Sequence, residues 1–249
     1  MVDLSGKVAL VTGGGRGVGL GIATALREAG ARVMLSGRTA AVLAVAAERL
    51  ADARYVVGDV RDEVACGAIV DGTVAAFGGI DILVNNAQEV PLGRIEDVTD
   101  AAFVAGFESG PLAAFRLMKL VAPAMRSRGG GVIFNLVSSA AVRWDMAGFG
   151  AYGAVKQAMR VLGRAAASEW GRDNIRVLSV APHALSEAME RWIAAHADEA
   201  AAFFRTIPLG RLGDPHTDIG RAVAMLASDD AGYLTGATIP LDGGQASFD

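Results

Sequence analysis

The stretch Lys7-Val-Ala-Leu-Val-Thr12, followed at once by Gly13-Gly-Gly-Arg-Gly-Val-Gly19, decides the fold of this chain. Its first six residues are typical of a short buried strand. Apolar residues then recur at helical spacing from Leu20 to Ala29, and the run stops at Gly30. Glycines between a strand and a helix let the backbone approach a ligand, and the N–H groups of the helix start favour an anion. The stretch therefore predicts a cradle for a diphosphate, with an ordinary tight turn as the alternative.

The rest of the chain alternates between strand and helix patterns, which predicts a parallel sheet with helices on both faces, an α/β doubly wound fold. No internal repeat, linker or low-complexity segment interrupts the pattern. Because 249 residues commonly form one domain of this class, we predict a single domain over 1–249. The predicted strands are 7–12, 32–36, 54–58, 81–84, 131–137, 175–180 and 237–241, and the later predicted helices are 40–50, 62–77, 99–126 and 150–170.

A second motif consists of Tyr152 and Lys156, one helical turn apart, and Ser139, thirteen residues before the tyrosine. A tyrosine titrates near ~10, so it needs a neighbouring cation to act as a base near neutral pH. Lys156 can supply that cation because residues i and i+4 share one helix face. Ser139 follows a predicted strand and can hydrogen-bond the same substrate oxygen. The trio predicts proton transfer at a carbonyl oxygen, with a chance pair on an amphipathic helix as the alternative.

Together the two motifs resemble the short-chain dehydrogenase/reductase family, over essentially the whole chain. Thr12-Gly13-x-x-x-Gly17-x-Gly19 is similar to the family's cofactor loop, Asp59-Val60 to its adenine-contacting pair, and Asn85-Asn86-Ala87 to most of its Asn-Asn-Ala-Gly motif. The resemblance implies a nicotinamide dinucleotide as hydride carrier and oxidoreduction of an alcohol/carbonyl pair. It also implies a substrate loop and helices around 183–212. The predicted site residues are the catalytic Ser139, Tyr152 and Lys156 and the cofactor contacts Gly13, Gly15, Arg16, Gly17, Val18, Gly19, Arg38, Asp59, Val60, Asn86, Ala87, Tyr152, Lys156, Pro182 and Leu185.

The residues after the second predicted strand indicate which dinucleotide binds. An enzyme that uses NAD usually carries an acidic residue here, which holds the ribose 2′-hydroxyl. This chain has Ser36-Gly37-Arg38 instead, so no carboxylate repels a 2′-phosphate and Arg38 is placed to bind one. Arg16 in the glycine loop offers a second guanidinium. We therefore predict NADP rather than NAD, the alternative being that both arginines are ordinary surface charges.

Four residues depart from the family pattern near the nicotinamide end. The family has an asparagine at the position of Gly110, and that asparagine holds a water in the proton relay. The relay is then completed by Ser109, Glu108 or water, or turnover is slow. His183 lies beside a proline in a loop, where packing or hydrogen bonding is the more common role. The departures are Gln88 for glycine, Gly110 for asparagine, His183 for glycine and Glu187 for threonine.

The predicted function is that of an NADP(H)-dependent carbonyl reductase or alcohol dehydrogenase. Two alternatives use the same cofactor: a catalytically idle dinucleotide-binding sensor or scaffold, and an epimerase or dehydratase. A 3-oxoacyl substrate on a carrier would need a basic approach surface, which Arg126, Arg128 and Arg172 could form. In the resembled family two segments line the substrate mouth. The apolar and aromatic residues of these segments suggest an apolar or aromatic substrate here. They are Trp144, Phe149, Met189, Trp192, Ile193, Phe203 and Phe204.

Composition argues for a cytoplasmic protein that binds neither nucleic acid nor metal. The net charge is −4 and the pI is near 5.4, which argues against a nucleic-acid surface. No apolar run reaches the roughly 18 residues of a membrane span, and the N-terminus lacks the pattern of a signal peptide. Cys66 is the only cysteine, so an internal disulfide and a cysteine zinc cluster are excluded. His196 and His216 lack a partnering pattern of ligands, so no metal site is predicted.

We expect a homo-oligomer, most simply a homotetramer. The predicted helices at 99–126 and 150–170 carry apolar residues on more than one face, and in the resembled family these two helices form the dimer contact. Isologous pairing would bury such residues. The apolar residues concerned are Phe103, Phe107, Phe115, Met118, Met125, Met159, Leu162 and Trp170.

Overall fold

The computed structural model describes residues 2–143, 147–185 and 187–248, except for the side chains of residues 187, 188, 191 and 192. Its strands are β1 (Val8–Thr12), β2 (Arg32–Gly37), β3 (Arg54–Val57), β4 (Ile82–Asn85), β5 (Gly131–Leu136), β6 (Ile175–Pro182) and β7 (Thr238–Leu241). All pair in parallel, in the order β3-β2-β1-β4-β5-β6-β7. The order reverses between β1 and β4, and folds of this kind bind ligands beyond the carboxyl ends of the strands at such a point. The predicted doubly wound α/β fold is confirmed.

Helices connect the strands and cover both faces of the sheet. None of them, within the described ranges, combines the length and the apolar composition needed to cross a bilayer. Among the helix starts that the structure describes, two are capped by side chains, Asp62 at the start of the third helix and Thr99 at the start of the fourth. The helices are α1 (Gly17–Glu28), α2 (Ala40–Arg49), α3 (Glu63–Phe77), α4 (Asp100–Phe107), α5 (Ala113–Ser127), α6 (Gly150–Trp170), α7 (Glu187–Ala195), α8 (Ala197–Phe204) and α9 (Arg221–Ala227).

The two faces of the sheet pack into separate apolar layers. Ala9 and Val11 of β1 join a layer that includes residues of α1, α2 and α9. Val8 and Leu10 of the same strand join a second layer with residues of α3 and α5. Successive side chains of a strand point to opposite faces, so a strand covered on both sides must be apolar throughout. This is why β1 is a continuous apolar run in the sequence.

The predicted helix over 99–126 is not continuous. It divides into α4 and α5, separated by a π-helical turn at Glu108–Leu112 in which the backbone N–H of Ala113 donates to the carbonyl of Glu108. Pro111 lies inside this turn and has no N–H to continue an α-helical ladder. Such wide turns are rare and frequently occur at functional sites. Here the turn brings Gly110 against the loop that follows β4.

Three methionines that we expected at a subunit contact are instead part of the chain's own interior. Met118, Met125 and Met159 are at most 2% exposed. We misplaced them because helical spacing shows which residues share a face. It does not show whether that face packs into the chain's own core or against a partner subunit. Phe103 and Phe115 of the same prediction are 40% and 43% exposed, so they do form an apolar surface.

Candidate active site

The start of α1 has the properties expected of an anion site. Arg16 precedes it in an extended conformation, no side chain caps the free N–H groups, and the first turn holds no acidic residue. Gly13 has a φ of +63°, and a Cβ there would lie 2.7 Å from Nδ2 of Asn86. The backbone therefore passes close to the next loop, and the N–H groups of the helix start remain for a ligand. These features fit the diphosphate of a dinucleotide.

A cleft of ≈ 300 Å³ extends from this loop across the carboxyl ends of β1, β2 and β4. Five of the predicted cofactor contacts do not line it: Gly17, Tyr152, Lys156, Pro182 and Leu185. Sequence reasoning did not include some of the side chains that do, among them Thr39, Val42, Gln88 and Glu89. The predicted contacts that the structure brings together in this cleft are Gly13, Gly15, Arg16, Val18, Gly19, Arg38, Asp59, Val60, Asn86 and Ala87.

Asn86 and Thr12 hold the floor of the cleft. Asn86 Nδ2 donates to the carbonyls of Thr12, at 2.9 Å, and Gly13, at 3.2 Å. Thr12 Oγ1 accepts from the backbone N–H groups of Asn86 and Ala87 and donates to the carbonyl of Val84. The loops after β1 and β4 are thereby fixed to each other. Asn86 has a structural task in the cleft as well as its predicted position beside a cofactor.

Of the three arginines that line the cleft, Arg38 and Arg61 each lie beside a carboxylate. Arg61 contacts both carboxylate oxygens of Asp59, and this hydrogen bonding holds the pKa of Asp59 below its ordinary value. Arg38 Nη1 lies 2.7 Å from Oε1 of Glu89, and both side chains remain substantially exposed. Exposed ion pairs of this kind stabilise by only about 0–1 kcal/mol. A ligand with an anionic group could therefore displace Glu89 from Arg38 at a small cost in free energy.

Tyr152 and Lys156 both lie on α6, and Lys156 Nζ is 5.4 Å from the centre of the tyrosine ring. The lysine is fully buried. Its ammonium donates to the carbonyl of Leu136, at 2.6 Å, and to Oε1 of Gln88, at 3.1 Å. The helix spacing thus brings the two predicted catalytic groups together, and the ends of β4 and β5 supply the acceptors that hold the lysine.

Burial shifts both groups toward their neutral forms. It raises the pKa of Tyr152 to about 12 and lowers the pKa of Lys156 to about 7. We had expected the lysine to lower the pKa of the tyrosine, but in the structure burial dominates because a low dielectric disfavours either charge. A hydrogen bond between the Ser138 side chain and the phenolic oxygen of Tyr152 opposes this rise in pKa. At neutral pH Tyr152 therefore holds its proton and can donate it to a substrate oxygen.

The serine that faces Tyr152 is Ser138, and Ser139 is the next residue along the chain. Ser138 is extended, with φ −155° and ψ 151°, and only partly buried. Ser139 is 8% exposed and begins a short 3₁₀ turn, Ser139–Ala141. The hydrogen bond to the phenol identified above belongs to Ser138. To decide from the sequence which of the two serines contacts the phenol, one would have to know how long the loop before α6 is.

Ser109 is occupied with backbone contacts. Its hydroxyl donates to the carbonyl of Ala105, at 2.7 Å, and accepts the N–H of Glu89, at 2.9 Å. Neither contact leads to Lys156. The side chain that does reach Lys156 is Gln88, one of the four departures from the family pattern.

Most of the residues expected at the substrate mouth are described, and they are apolar. His183 is partly buried, burial lowers its pKa, and its ring packs edge-on against Phe203 with centroids 5.3 Å apart. These contacts fit the packing role expected for it. Trp144 and the side chains of Glu187 and Trp192 lie outside the described residues. The other predicted mouth residues are partly buried: Phe149, Met189, Ile193, Phe203 and Phe204.

The fold and the site define a class of dinucleotide-dependent oxidoreductases. A family model described as enoyl-(acyl carrier protein) reductase matches residues 13–246. The chain is 37% identical over 251 residues to a 12alpha-hydroxysteroid dehydrogenase from Clostridium sp., with 96% of each chain covered. An NADP complex of RhlG from Pseudomonas aeruginosa has a TM-score of 0.92 at 31% identity, covering 98% of both chains. A 7alpha-hydroxysteroid dehydrogenase with NADH and 7-oxo glycochenodeoxycholic acid has a TM-score of 0.91 at 32% identity, covering 98% of this chain and 96% of its own.

The chain therefore belongs to the short-chain dehydrogenase/reductase family, as the glycine loop and the Tyr152–Lys156 pair predicted. Its relatives support hydride transfer between an alcohol/carbonyl pair and a nicotinamide dinucleotide. One solved relative holds NADP and another NADH. Membership of the family consequently does not select between the two dinucleotides.

Proposed function

We propose that the protein is an NADP(H)-dependent reductase of bulky apolar ketones, or a dehydrogenase of the corresponding secondary alcohols. The observation that carries this proposal is the buried Tyr152–Lys156 pair, whose lysine binds Gln88 in the lining of the cleft, with Ser138 hydrogen-bonded to the tyrosine. A bound nicotinamide dinucleotide supplies or accepts the hydride, and the protein supplies orientation and charge. The glycine loop at the start of α1 would hold its diphosphate.

Tyr152 and Ser138 act on the substrate oxygen, and Lys156 acts on the cofactor. Tyr152 donates its phenolic proton to that oxygen when a ketone is reduced and takes the proton back when an alcohol is oxidised. Ser138 donates a hydrogen bond to the same oxygen and positions it, a role that we assign to Ser138 in place of Ser139. Lys156 has three N–H donors, of which two bind Leu136 and Gln88. The third would hold a ribose hydroxyl of the cofactor.

Two observations support an apolar substrate over an acyl group on a carrier protein. The described residues on the substrate side are aromatic or aliphatic, and the 12alpha- and 7alpha-enzymes above are hydroxysteroid dehydrogenases. Two of the three arginines expected to dock a carrier are already in ion pairs, Arg126 with Asp173 and Arg128 with Asp81. The function is tested by assaying polycyclic and linear ketones and alcohols with both cofactors. An absence of turnover, with dinucleotide bound, would favour the idle binding protein.

Cofactor choice is tested at Arg38. Arg38→Asp should weaken binding of NADPH by about tenfold to a hundredfold, because a charge-assisted hydrogen bond is lost and a repulsive charge is added. Binding of NADH should change much less, since it has no 2′-phosphate. Dissociation constants for both dinucleotides, measured by fluorescence titration, check the prediction.

Two further variants make this test specific. Arg49→Asp changes the same residue type at the end of α2, outside the cleft, and should leave both constants unchanged. Glu89→Gln removes the carboxylate that competes for Arg38 and should tighten NADPH binding selectively. An unchanged preference in Arg38→Asp would mean that the phosphate is held elsewhere or was never bound.

We also propose a homotetramer that uses the apolar groove of α4, α5 and α6. Phe103, Leu112, Phe115 and Leu162 line this groove, which has almost no polar surface. Phe115→Asp should convert the assembly to a smaller species, because it introduces a charge into a contact that isologous pairing would bury. Light scattering checks the size, and Val64→Asp, at an 82% exposed valine of α3, is the matched control. A wild-type protein that is monomeric at all concentrations would refute the proposal.

A further inference from the structure

Gln88 is fixed by three hydrogen bonds that use both ends of its amide. Nε2 donates to the carbonyls of Glu89 and Gly106, each at 2.9 Å. Oε1 accepts from Nζ of Lys156 at 3.1 Å. The two ends of the amide cannot be exchanged, because reversal would place NH₂ against an ammonium and oxygen against two carbonyls. The network therefore orients the acceptor toward the lysine.

Gly110 makes the space that Gln88 occupies. A Cβ at Gly110 would lie 2.7 Å from Oε1 of Gln88 and 2.8 Å from Cγ1 of Val155. Any larger residue here would push the amide away from Lys156 or displace Val155. The π-helical turn that carries Gly110 also includes Pro111, and Gly106, whose carbonyl binds Gln88, lies just before it. Gln88 and Gly110 are thus two parts of one arrangement.

Lys156 depends on dipoles for the stability of its ammonium. Its surroundings are the Tyr152 ring on its own helix, the Leu136 carbonyl from β5, the Gln88 amide from the loop after β4, and Met159 Sδ at 3.9 Å. Burial lowers its pKa, and no described carboxylate opposes that shift. The backbone carbonyl cannot be changed by substitution without changing the strand. Gln88 Oε1 is accordingly the side-chain acceptor through which the charge of Lys156 is adjusted.

We propose that Gln88 is a positioning residue for Lys156, which it holds through a direct hydrogen bond in the space that Gly110 leaves open. The contact fixes where the ammonium lies and favours its charged form. It takes the place of the asparagine and water expected at this point of the proton relay. The proposal rests on the proposed function for its catalytic consequence, since that function gives Lys156 its task beside Tyr152.

The direct test is a titration of Lys156 in the whole protein without substrate or cofactor. The chain has three lysines, so protein labelled with ¹³C at lysine Cε gives few resonances, and Lys156→Met identifies the one of interest. Gln88→Met keeps the length of the side chain and deletes the acceptor, so the pKa of Lys156 should fall by about one unit, a tenfold change. Gln88→Glu replaces the acceptor by an anion and should raise that pKa by about one unit or more.

Two other variants guard against a merely structural effect. Gln157→Met makes the same exchange at the neighbour of Lys156, where the amide binds the carbonyl of Ala141, and should leave the titration unchanged. Gly110→Ala should lower the pKa of Lys156 as Gln88→Met does, because its methyl group displaces Oε1. It therefore keeps the test decisive if Gln88→Met does not fold.

Shifts of opposite sign in Gln88→Met and Gln88→Glu would support the proposal, because loss of packing alone cannot change sign with the charge of residue 88. An identical Lys156 titration in the wild type and the folded variants would overturn it. Failure of the proposed function would be seen differently, as absence of turnover in a protein whose Lys156 still responds to Gln88. In an active protein, the pH profile of turnover should move in the same direction as the titration.

Discussion

Tyr152→Phe is expected to lower turnover by about 10²–10⁴-fold and to leave dinucleotide binding nearly unchanged. Phenylalanine keeps the ring, its packing and its contact with Lys156, and it removes only the hydroxyl that exchanges a proton with the substrate. Turnover number and cofactor dissociation constant, measured on the same preparation, check the two halves of the prediction. Tyr233→Phe, at a fully exposed tyrosine, is the matched control and should behave as the wild type.

The dependence on pH gives an independent check on the same residue. Burial raises the pKa of Tyr152 to about 12, so the phenolate that alcohol oxidation requires is scarce at neutral pH and increases as pH rises. Alcohol oxidation should therefore become faster with increasing pH. Ketone reduction uses the protonated tyrosine, which is the dominant form at neutral pH, so it needs no such increase. A Tyr152→Phe protein that keeps the wild-type rate would end the proposed mechanism.

The fold was largely predictable because strands and helices differ in the spacing of their apolar residues and in the residues that mark their ends. The apolar run of β1 and the glycines after it specify strand, turn and helix in succession, and α6 begins and ends at the predicted residues. The interruption between α4 and α5 was not predicted, because helical spacing continues through Pro111. Only the position of the loop after β4 shows why a wide turn is accommodated there.

The site was predictable where its residues are close in sequence. Tyr152 and Lys156 meet because one helical turn separates them, and the glycine loop forms its cradle from consecutive residues. Gln88 and Lys156 are 68 residues apart, and their contact follows from the pairing of β4 with β5 and the packing of α6. Glu89 and Arg38 meet across the cleft for a similar reason. In the sequence, Gln88 and Gly110 are two separate departures from the family pattern. In the structure they are linked, because the missing side chain at Gly110 leaves the space that the Gln88 amide occupies.

Ser138 could not be distinguished from Ser139 by counting. Counting back from Tyr152 crosses a loop, and a loop one residue longer moves the choice to the next serine. Ser138 is extended, whereas Ser139 already belongs to the 3₁₀ turn Ser139–Ala141, so the two residues differ in backbone conformation. In the structure the hydrogen bond to the phenol belongs to Ser138, and Ser139 is 8% exposed.

The pair of serines therefore provides a test with its own control. Ser138→Ala is expected to lower turnover by about 10²–10³-fold, because it removes the hydroxyl that would orient the substrate oxygen and stabilise charge on it. Ser139→Ala makes the same chemical change one residue away and should retain most of the activity. Steady-state rates of the two variants on one ketone, with saturating cofactor, measure the difference.

Ser138 also accepts the N–H of Ala140, at 3.2 Å, so Ser138→Ala could disturb the local turn as well as the chemistry. Ser138→Thr separates these effects, because threonine keeps the hydroxyl and its β-branch suits the extended backbone at this position. Activity should largely survive in Ser138→Thr and be lost in Ser138→Ala, with similar melting temperatures for all three variants. Loss of activity in Ser139→Ala but not in Ser138→Ala would return the role to Ser139, and would mean that the bond between Ser138 and the phenol has no part in catalysis.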